Sequence, residues 1–428
     1  MKLLKKMTSG ILGAVMATSI YGTNLISANA ASYYAYSVGV NHGTNTSGLT
    51  GDFTQNVAYA NACYGMISGI SSYYNNMPTQ SYMKGNNPDG IRRIASRVVF
   101  LNGHGSSSSM TFNYNNNGGE YSTGIKYGYD TSSCPGLLST DMSTNDLISF
   151  VGCSTAAGTT NLASRAVEKG STTAVGFTDS IHSRFINGPD WLKKYNDALT
   201  NGYTVANAVT YATSCYPNSD LGKYVKIYGD SNNTIAQYGS VNSIGDDYDE
   251  ILYVENVDIP IDFECFSSSV SDSNPTYNVD TIIDTLRNID ETFEIDDYSI
   301  DVNMFSSEDN SGMIVFTYQI DNLIDTNYAF VASVSNDTIT SISRNFETKP
   351  VIDENDLIEK ASCHSYSLSE RQAEINRLNI SANNIESESE SYNYDFRTGK
   401  LTFVKTIDYI SNNEENVVIA NAYTTELN

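Results

Sequence analysis

Val98-Val99-Phe100-Leu101-Asn102-Gly103-His104-Gly105 and Leu147-Ile148-Ser149-Phe150-Val151-Gly152-Cys153 share one layout. Each is a β-branched or aromatic apolar run, too short for a helix, that stops at glycine beside a reactive side chain. A strand covered on both faces of a parallel sheet reads this way. In open parallel sheets the ligand crevice lies off the carboxyl ends of the strands. His104 and Cys153 are 49 positions apart in sequence, yet both are expected at that edge, on neighbouring strands.

Around these two runs, strands and helices alternate. Tyr34 to Val40 reads as a first strand, with a loop of Asn, Gly and Thr from Asn41 to Gly51, and Ala58 to Ile67 reads as a helix. Ser106 to Asp141, rich in Ser, Asn, Gly and Tyr, has no helical period and reads as a lid or binding loop. Beyond Cys153 come a helix over Thr160 to Lys169 closed by Gly170, and a strand over Thr172 to Phe177. Two more helices follow, Pro189 to Leu199 and Thr204 to Thr213, the second capped by Thr204. The strand Tyr224 to Asp230 ends the series. Strands separated by helices imply right-handed crossovers and an α/β fold, its mostly parallel sheet carrying helices on both faces.

The charge is unevenly placed. Ala31 to Ile244 holds 12 acidic and 12 basic residues, whereas Gly245 to Asn428 holds 37 acidic and 9 basic. Such a step marks a domain boundary near Gly245-Asp246-Asp247-Tyr248-Asp249-Glu250. The acidic half alternates differently. Apolar runs at Met313 to Tyr318 and Ala329 to Val334 follow a helical stretch, Val279 to Asp290. Runs at Lys400 to Thr406 and Val417 to Ala420 follow another, Asp353 to Cys363. This suggests two helix-then-hairpin units in an α+β arrangement, with Glu386 to Glu390 as a solvated connection. No basic stripe exists to neutralise phosphates, so nucleic acid is disfavoured as a partner.

At the start, Lys2, Lys5 and Lys6 precede a mostly apolar stretch from Ile11 to Ile20 and the small residues Ala28-Asn29-Ala30. That is the pattern of a secretory signal peptide over residues 1–30, its apolar stretch too short to span a bilayer. A secreted, extracellular protein without a transmembrane segment is expected. The six cysteines form no CxxC or CxxxxH grouping, so no zinc site or other metal is expected. Most should be small buried thiols. No cofactor is implied.

A thiol and an imidazole delivered to one edge can act as nucleophile and base. An imidazolium or a following helix N-terminus lowers a thiol pKa. The small-residue turn Ser154-Thr155-Ala156-Ala157-Gly158 and the N–H of Gly105 can point at an oxyanion. The implied reaction is acyl transfer to sulfur, then hydrolysis. It requires both side chains at one rim, open to solvent.

Phe100-Leu101-Asn102-Gly103-His104-Gly105 and Phe150-Val151-Gly152-Cys153-Ser154-Thr155 resemble the His-Gly and Cys blocks of the caspase-like cysteine peptidases (clan CD). The look is nearest to the CHAT, separase and gingipain-like branches. The His-to-Cys spacing is that of caspases. Val38 to Asn41, Thr172 to Asp179, Trp191 to Ala208 and Tyr224 to Asp230 are similar to other blocks of that fold, over roughly Tyr33 to Ser240. The resemblance implies a caspase-haemoglobinase-like sheet, with Cys153 as nucleophile, His104 as general base and acid, and Gly105 with Cys153 as oxyanion N–H donors. Relatives that cleave after Arg or Lys place an acidic residue two positions before the Cys; here that substrate-binding position is Val151. Asp179 is the substitute candidate, or a turn cap, and Thr178 to Phe185 is the expected pocket wall. His42 reads as a turn residue or a cleft residue, and His182 sits near the pocket wall.

The leading expectation is therefore a signal peptide (1–30), a caspase-like peptidase domain (31–244) and an acidic accessory region (245–428). The activity expected is a secreted cysteine endopeptidase acting on protein or peptide substrates. Two alternatives remain. One is an inactive caspase-like scaffold whose acidic half engages a surface ligand. The other makes the acidic half an inhibitory or folding segment that regulates the domain intramolecularly.

Overall fold

Two sheets meet where the Val98 run ends. The computed structural model describes residues 34–235 and 252–427, apart from 44–48, 68–69, 79–82, 86–89, 117–118, 122–123, 127, 129–135, 262–278 and 412–416. The signal-peptide reading and the boundary at Gly245 lie outside the described residues.

In chain order, β1 (Ala35–Val38) leads to α1 (Thr54–Met66) and β2 (Ser72–Asn75). Next come β3 (Val98–Asn102), β4 (His104–Gly105), β5 (Ser109–Thr111), β6 (Tyr114–Asn116), β7 (Gly119–Tyr121) and β8 (Gly124–Lys126). Then follow α2 (Ser139–Met142), β9 (Leu147–Val151), α3 (Leu162–Glu168), β10 (Thr173–Phe177), α4 (Gly188–Thr200), α5 (Val205–Cys215), α6 (Asp220–Tyr224) and β11 (Val225–Gly229). The acidic half contributes β12 (Tyr253–Pro260), α7 (Val279–Ile289), β13 (Tyr298–Ser306), β14 (Ser311–Ile320), β15 (Ile324–Ser335) and β16 (Thr338–Arg344). It ends with α8 (Glu354–Cys363), α9 (Leu368–Leu378), β17 (Ile385–Asp395), β18 (Lys400–Ile410) and β19 (Val418–Leu427).

The first sheet has the order β11-β10-β9-β3-β1-β2. All its neighbours run parallel except β10 and β11, which are antiparallel. Strands covered on both sides explain the uninterrupted apolar runs. On one face Val98, Phe100, Val151 and Phe177 pack with Tyr64 of α1, Trp191 of α4 and Val209 of α5. On the other, Val99, Leu101, Ile148 and Phe150 pack with Leu162 and Ala166 of α3. The helix starts follow their caps. Asn161 and Ser164 form a capping box on α3, Pro189 opens α4, and Thr204 caps α5 through the Asn207 amide.

The second sheet is extensive and mostly antiparallel, so a single parallel sheet describes only part of the fold. It runs β12-β16-β15-β17-β18-β19-β4-β5-β8, with β14 pairing to β15 and β13 to β14. The segment expected as a lid loop instead supplies β5 and β8 to this sheet, and the β6–β7 hairpin. The Glu386 to Glu390 run is also not a connection. Its alternating Ser and Glu residues lie within β17, paired to β18, where Glu388 meets Arg371 and Lys405. Period-two polarity here marks a strand whose side chains are met by cations, which a charge count alone does not reveal.

The acidic half packs directly on the first. Phe305, Met313, Val315, Ala329 and Val331 share one apolar cluster with α5 and β11. Ser214 and Ser343 hydroxyls are 2.6 Å apart, Asn303 Nδ2 donates to Gly222 O at 2.8 Å, and Arg397 Nη2 donates to Cys215 O at 2.9 Å.

Candidate active site

Adjacent parallel strands set the site. In the β3–β9 ladder Asn102 stands opposite Val151. Two positions further along each chain, past Gly103 and Gly152, come His104 and Cys153. Both line one small cavity with Phe53, Ile181, Arg184 and Ala420. At Gly103 the chain leaves the first sheet, so that His104 and Gly105, as β4, belong to the second.

His104 is fixed from behind. Its Nε2 lies 2.8 Å from the Thr50 carbonyl, which can only accept. The proton therefore sits on Nε2, and Nδ1 carries the lone pair. The ring rests against His42, with centroids 4.9 Å apart, and against the edge of Phe53 at 5.1 Å. Burial, with the neighbouring His42 and Arg184, holds the His104 pKa well below the usual histidine value. His42, in the loop after β1, is a buried ring behind His104 and does not line the cavity, and burial lowers its pKa to about 3.

Cys153 enters a tight turn. Ser154 takes a left-handed backbone (φ 58) and its N–H donates to Asp179 O at 2.9 Å. The Ala156 N–H donates to Phe177 O and the Ala157 N–H to Ser154 O. Thr155 Oγ1 donates to Phe150 O at 2.8 Å and accepts from the Phe177 amide at 3.1 Å. The turn is therefore built from most of the amides expected to face an oxyanion, and those amides are engaged. Nor does a helix follow at once: α3 begins at Leu162, with its own cap. Gly105 and Cys153 remain the candidate donors. A Cβ at Gly105 would stand 2.9 Å from Thr155 Cγ2 and 3.0 Å from Cys153 O, so glycine lets the two turns touch.

The Ile181 amide approaches the Cys153 sulfur at 3.5 Å. Burial pushes the thiol pKa up to about 12; the Ile181 amide opposes this and the carboxylates of Asp408 and Asp220 add to it. The loop bearing Ile181 is pinned to β3. Asn102 Nδ2 donates to Val151 O at 2.9 Å and to Ser183 Oγ at 3.1 Å, and Asn56 Nδ2 reaches both Asn102 Oδ1 and Ser183 O. Asn102, a polar residue closing an apolar strand, was the sequence signal for this network.

Two expected substrate-binding residues lie elsewhere. Val151 is buried in the apolar core under the sheet, and its side chain does not line the cavity. Asp179 is exposed. Its carboxylate accepts the Ser180 amide, and it borders a separate polar cavity of about 490 Å³ between the two halves, with Asp220, Asp301 and Asp408. The Thr178 to Phe185 stretch does reach the site, through Ile181 and Arg184.

The expected opening to solvent is filled. His104 is 2 % and Cys153 3 % exposed. The cover is β19, whose Val418 pairs antiparallel with Gly105 and whose Ala420 lines the cavity. Beside it His182 bridges the halves, Nδ1 lying 2.6 Å from Asp220 Oδ2 and Nε2 3.3 Å from Asp408 Oδ1, the latter a charge contact short of an aligned hydrogen bond.

Among the described residues Cys63, Cys153 and Cys215 are buried and Cys363 is exposed. Among the described residues no three His, Cys, Asp or Glu side chains gather as a metal site, and no helix is long and apolar enough to cross a membrane. No known protein-family model matches the chain. No curated protein matches its sequence either.

Proposed function

We propose that the chain is a secreted cysteine endopeptidase of the caspase-like type, with Cys153 and His104 as its dyad. The observation that carries this reading is the delivery of an imidazole and a thiol into one cavity by adjacent parallel strands. The Thr50 carbonyl supports it by leaving Nδ1 of His104 as the basic nitrogen, as a general base requires.

In the proposed reaction, His104 takes the Cys153 proton and the sulfur attacks a peptide carbonyl. The N–H groups of Gly105 and Cys153 face the oxyanion, each such donor being worth about 3 kcal/mol. The C–N bond breaks, His104 passes its proton to the departing amine, and a thioester remains. Water, deprotonated by His104, then attacks the thioester carbonyl; the C–S bond breaks, the carboxylic acid product leaves, and His104 returns the proton to the sulfur.

The test is digestion of a diverse peptide pool, with the cuts mapped, by wild type, Cys153→Ala and His104→Ala. Loss of every cut in both variants supports the reading. Unchanged hydrolysis in Cys153→Ala removes it. The closed cavity favours a second reading, an inactive scaffold that binds a surface ligand; a pool left uncut once Cys153 is accessible supports that one.

A further inference from the structure

We propose that Val418 to Asn421 of β19 occupies the groove in which an extended substrate peptide would lie, so that the acidic half is a built-in occluding strand and Arg184 the residue that grips a substrate carbonyl. The substrate part of this statement rests on the peptidase reading; the occlusion does not.

The strand is seated as an added strand would be. Val418 pairs antiparallel with Gly105, using the edge of β4 beside the candidate oxyanion donor. Main-chain pairing to a sheet edge is a general way to hold extended peptides, with alternate side chains read by pockets. Alternation is visible here. Val417 and Ile419 pack with Leu49, Leu378 and Tyr409, while Ala420 lies in the cluster that contains Cys153. The Ala420 carbonyl accepts from Arg184 Nη2 at 3.1 Å, and the guanidinium is held between the rings of Phe53 (5.0 Å) and Phe185 (4.7 Å).

The same geometry explains why the strand is an occupant and not a substrate. The Ala420 carbonyl accepts from Arg184, and the Cys153 sulfur meets the amide of Ile181 in the facing loop. A sulfur that meets an N–H has no electrophile to attack. A second tie holds the strand down: Asp408 stands opposite Ala420 in the β18–β19 ladder and reaches His182, the neighbour of Ile181. Displacing β19 would free the Gly105 edge and Arg184 together. They would then accept an unstructured polypeptide with a small apolar residue at the place of Ala420.

The experiment is iodoacetamide labelling of the full mature chain, read thiol by thiol by peptide mass mapping. Exposed Cys363 is the internal reference, and buried Cys63 and Cys215 report unfolding. Wild-type Cys153 should label far more slowly than Cys363. Val418→Pro, which removes a strand N–H, and Asp408→Asn, which removes the tie, should each speed Cys153 labelling at least about tenfold while Cys63 and Cys215 stay protected. A synthetic peptide of residues 417–427 should restore protection to Val418→Pro. If Val418→Pro unfolds, Asp408→Asn, which preserves the backbone, carries the comparison. Wild-type labelling of Cys153 as fast as Cys363, or no change in Asp408→Asn, overturns the proposal. Faster labelling without peptide hydrolysis upholds the occlusion and sinks the peptidase reading.

Discussion

Asp408 lies directly across the ladder from Ala420, and its carboxylate stands 3.3 Å from Nε2 of His182, whose Nδ1 meets Asp220 at 2.6 Å. One imidazole thus joins β18, the strand paired to the cover strand, to the loop that reaches the Cys153 sulfur. Burial opposes charge on His182, but the two carboxylates outweigh it and its pKa is raised to about 10.

The linkage has a definite sign. A histidine with a folded pKa above its unfolded value of 6.5 stabilises the fold fully below pH 6.5 and loses that contribution as pH rises towards 10. Melting temperatures of wild type and His182→Gln, compared between pH 6.5 and 10, should therefore converge with rising pH. The gap near neutrality should correspond to on the order of a few kcal/mol. A gap that widens with pH excludes the latch.

The dyad makes its own prediction once the cover is loosened. In the Val418→Pro background, His104→Ala should lower kcat/KM on an unfolded peptide about 10²- to 10⁴-fold, the usual worth of a positioned base. Cys153→Ala should leave no turnover. Retained hydrolysis in His104→Ala would mean that another group takes the proton.

Much of the first sheet was legible because its strands are covered on both faces. Val98 to Asn102 and Leu147 to Val151 are apolar without a break, and such runs have few alternatives. The reversed direction of β11 was not legible, since Val225 to Gly229 carries the same residue types in either orientation. The placement of His104 and Cys153 at one rim followed from parallel strands alone. Their closure did not, because it depends on Val418 meeting Gly105 across 313 positions, a pairing that local pattern cannot encode. Arg184 and Thr50 were missed for a related reason: one acts through a distant carbonyl, the other through its own.

Gly105 is where the two sheets and the two turns come closest. A methyl group there would press on Thr155 Cγ2 and on the Cys153 carbonyl. Gly105→Ala should lower stability by about 1–3 kcal/mol, read as a fall in melting temperature. It should also speed Cys153 labelling, because Val418 loses its paired position. Wild-type stability in this variant would show that the contact is loose.

Arg184 separates binding from chemistry. Its guanidinium donates to the Ala420 carbonyl in the groove, and in the proposed reaction it neither takes the thiol proton nor serves as an oxyanion donor. Arg184→Met keeps an apolar stem between Phe53 and Phe185 but removes the donor. In the full chain it should speed Cys153 labelling, since one tie to Ala420 is gone. In the Val418→Pro background it should raise KM for extended peptides about tenfold with kcat nearly unchanged, the signature of lost uniform binding. A fall in kcat at constant KM would instead place Arg184 in the reaction itself, and the carbonyl it holds in the closed form would then not mark a substrate carbonyl.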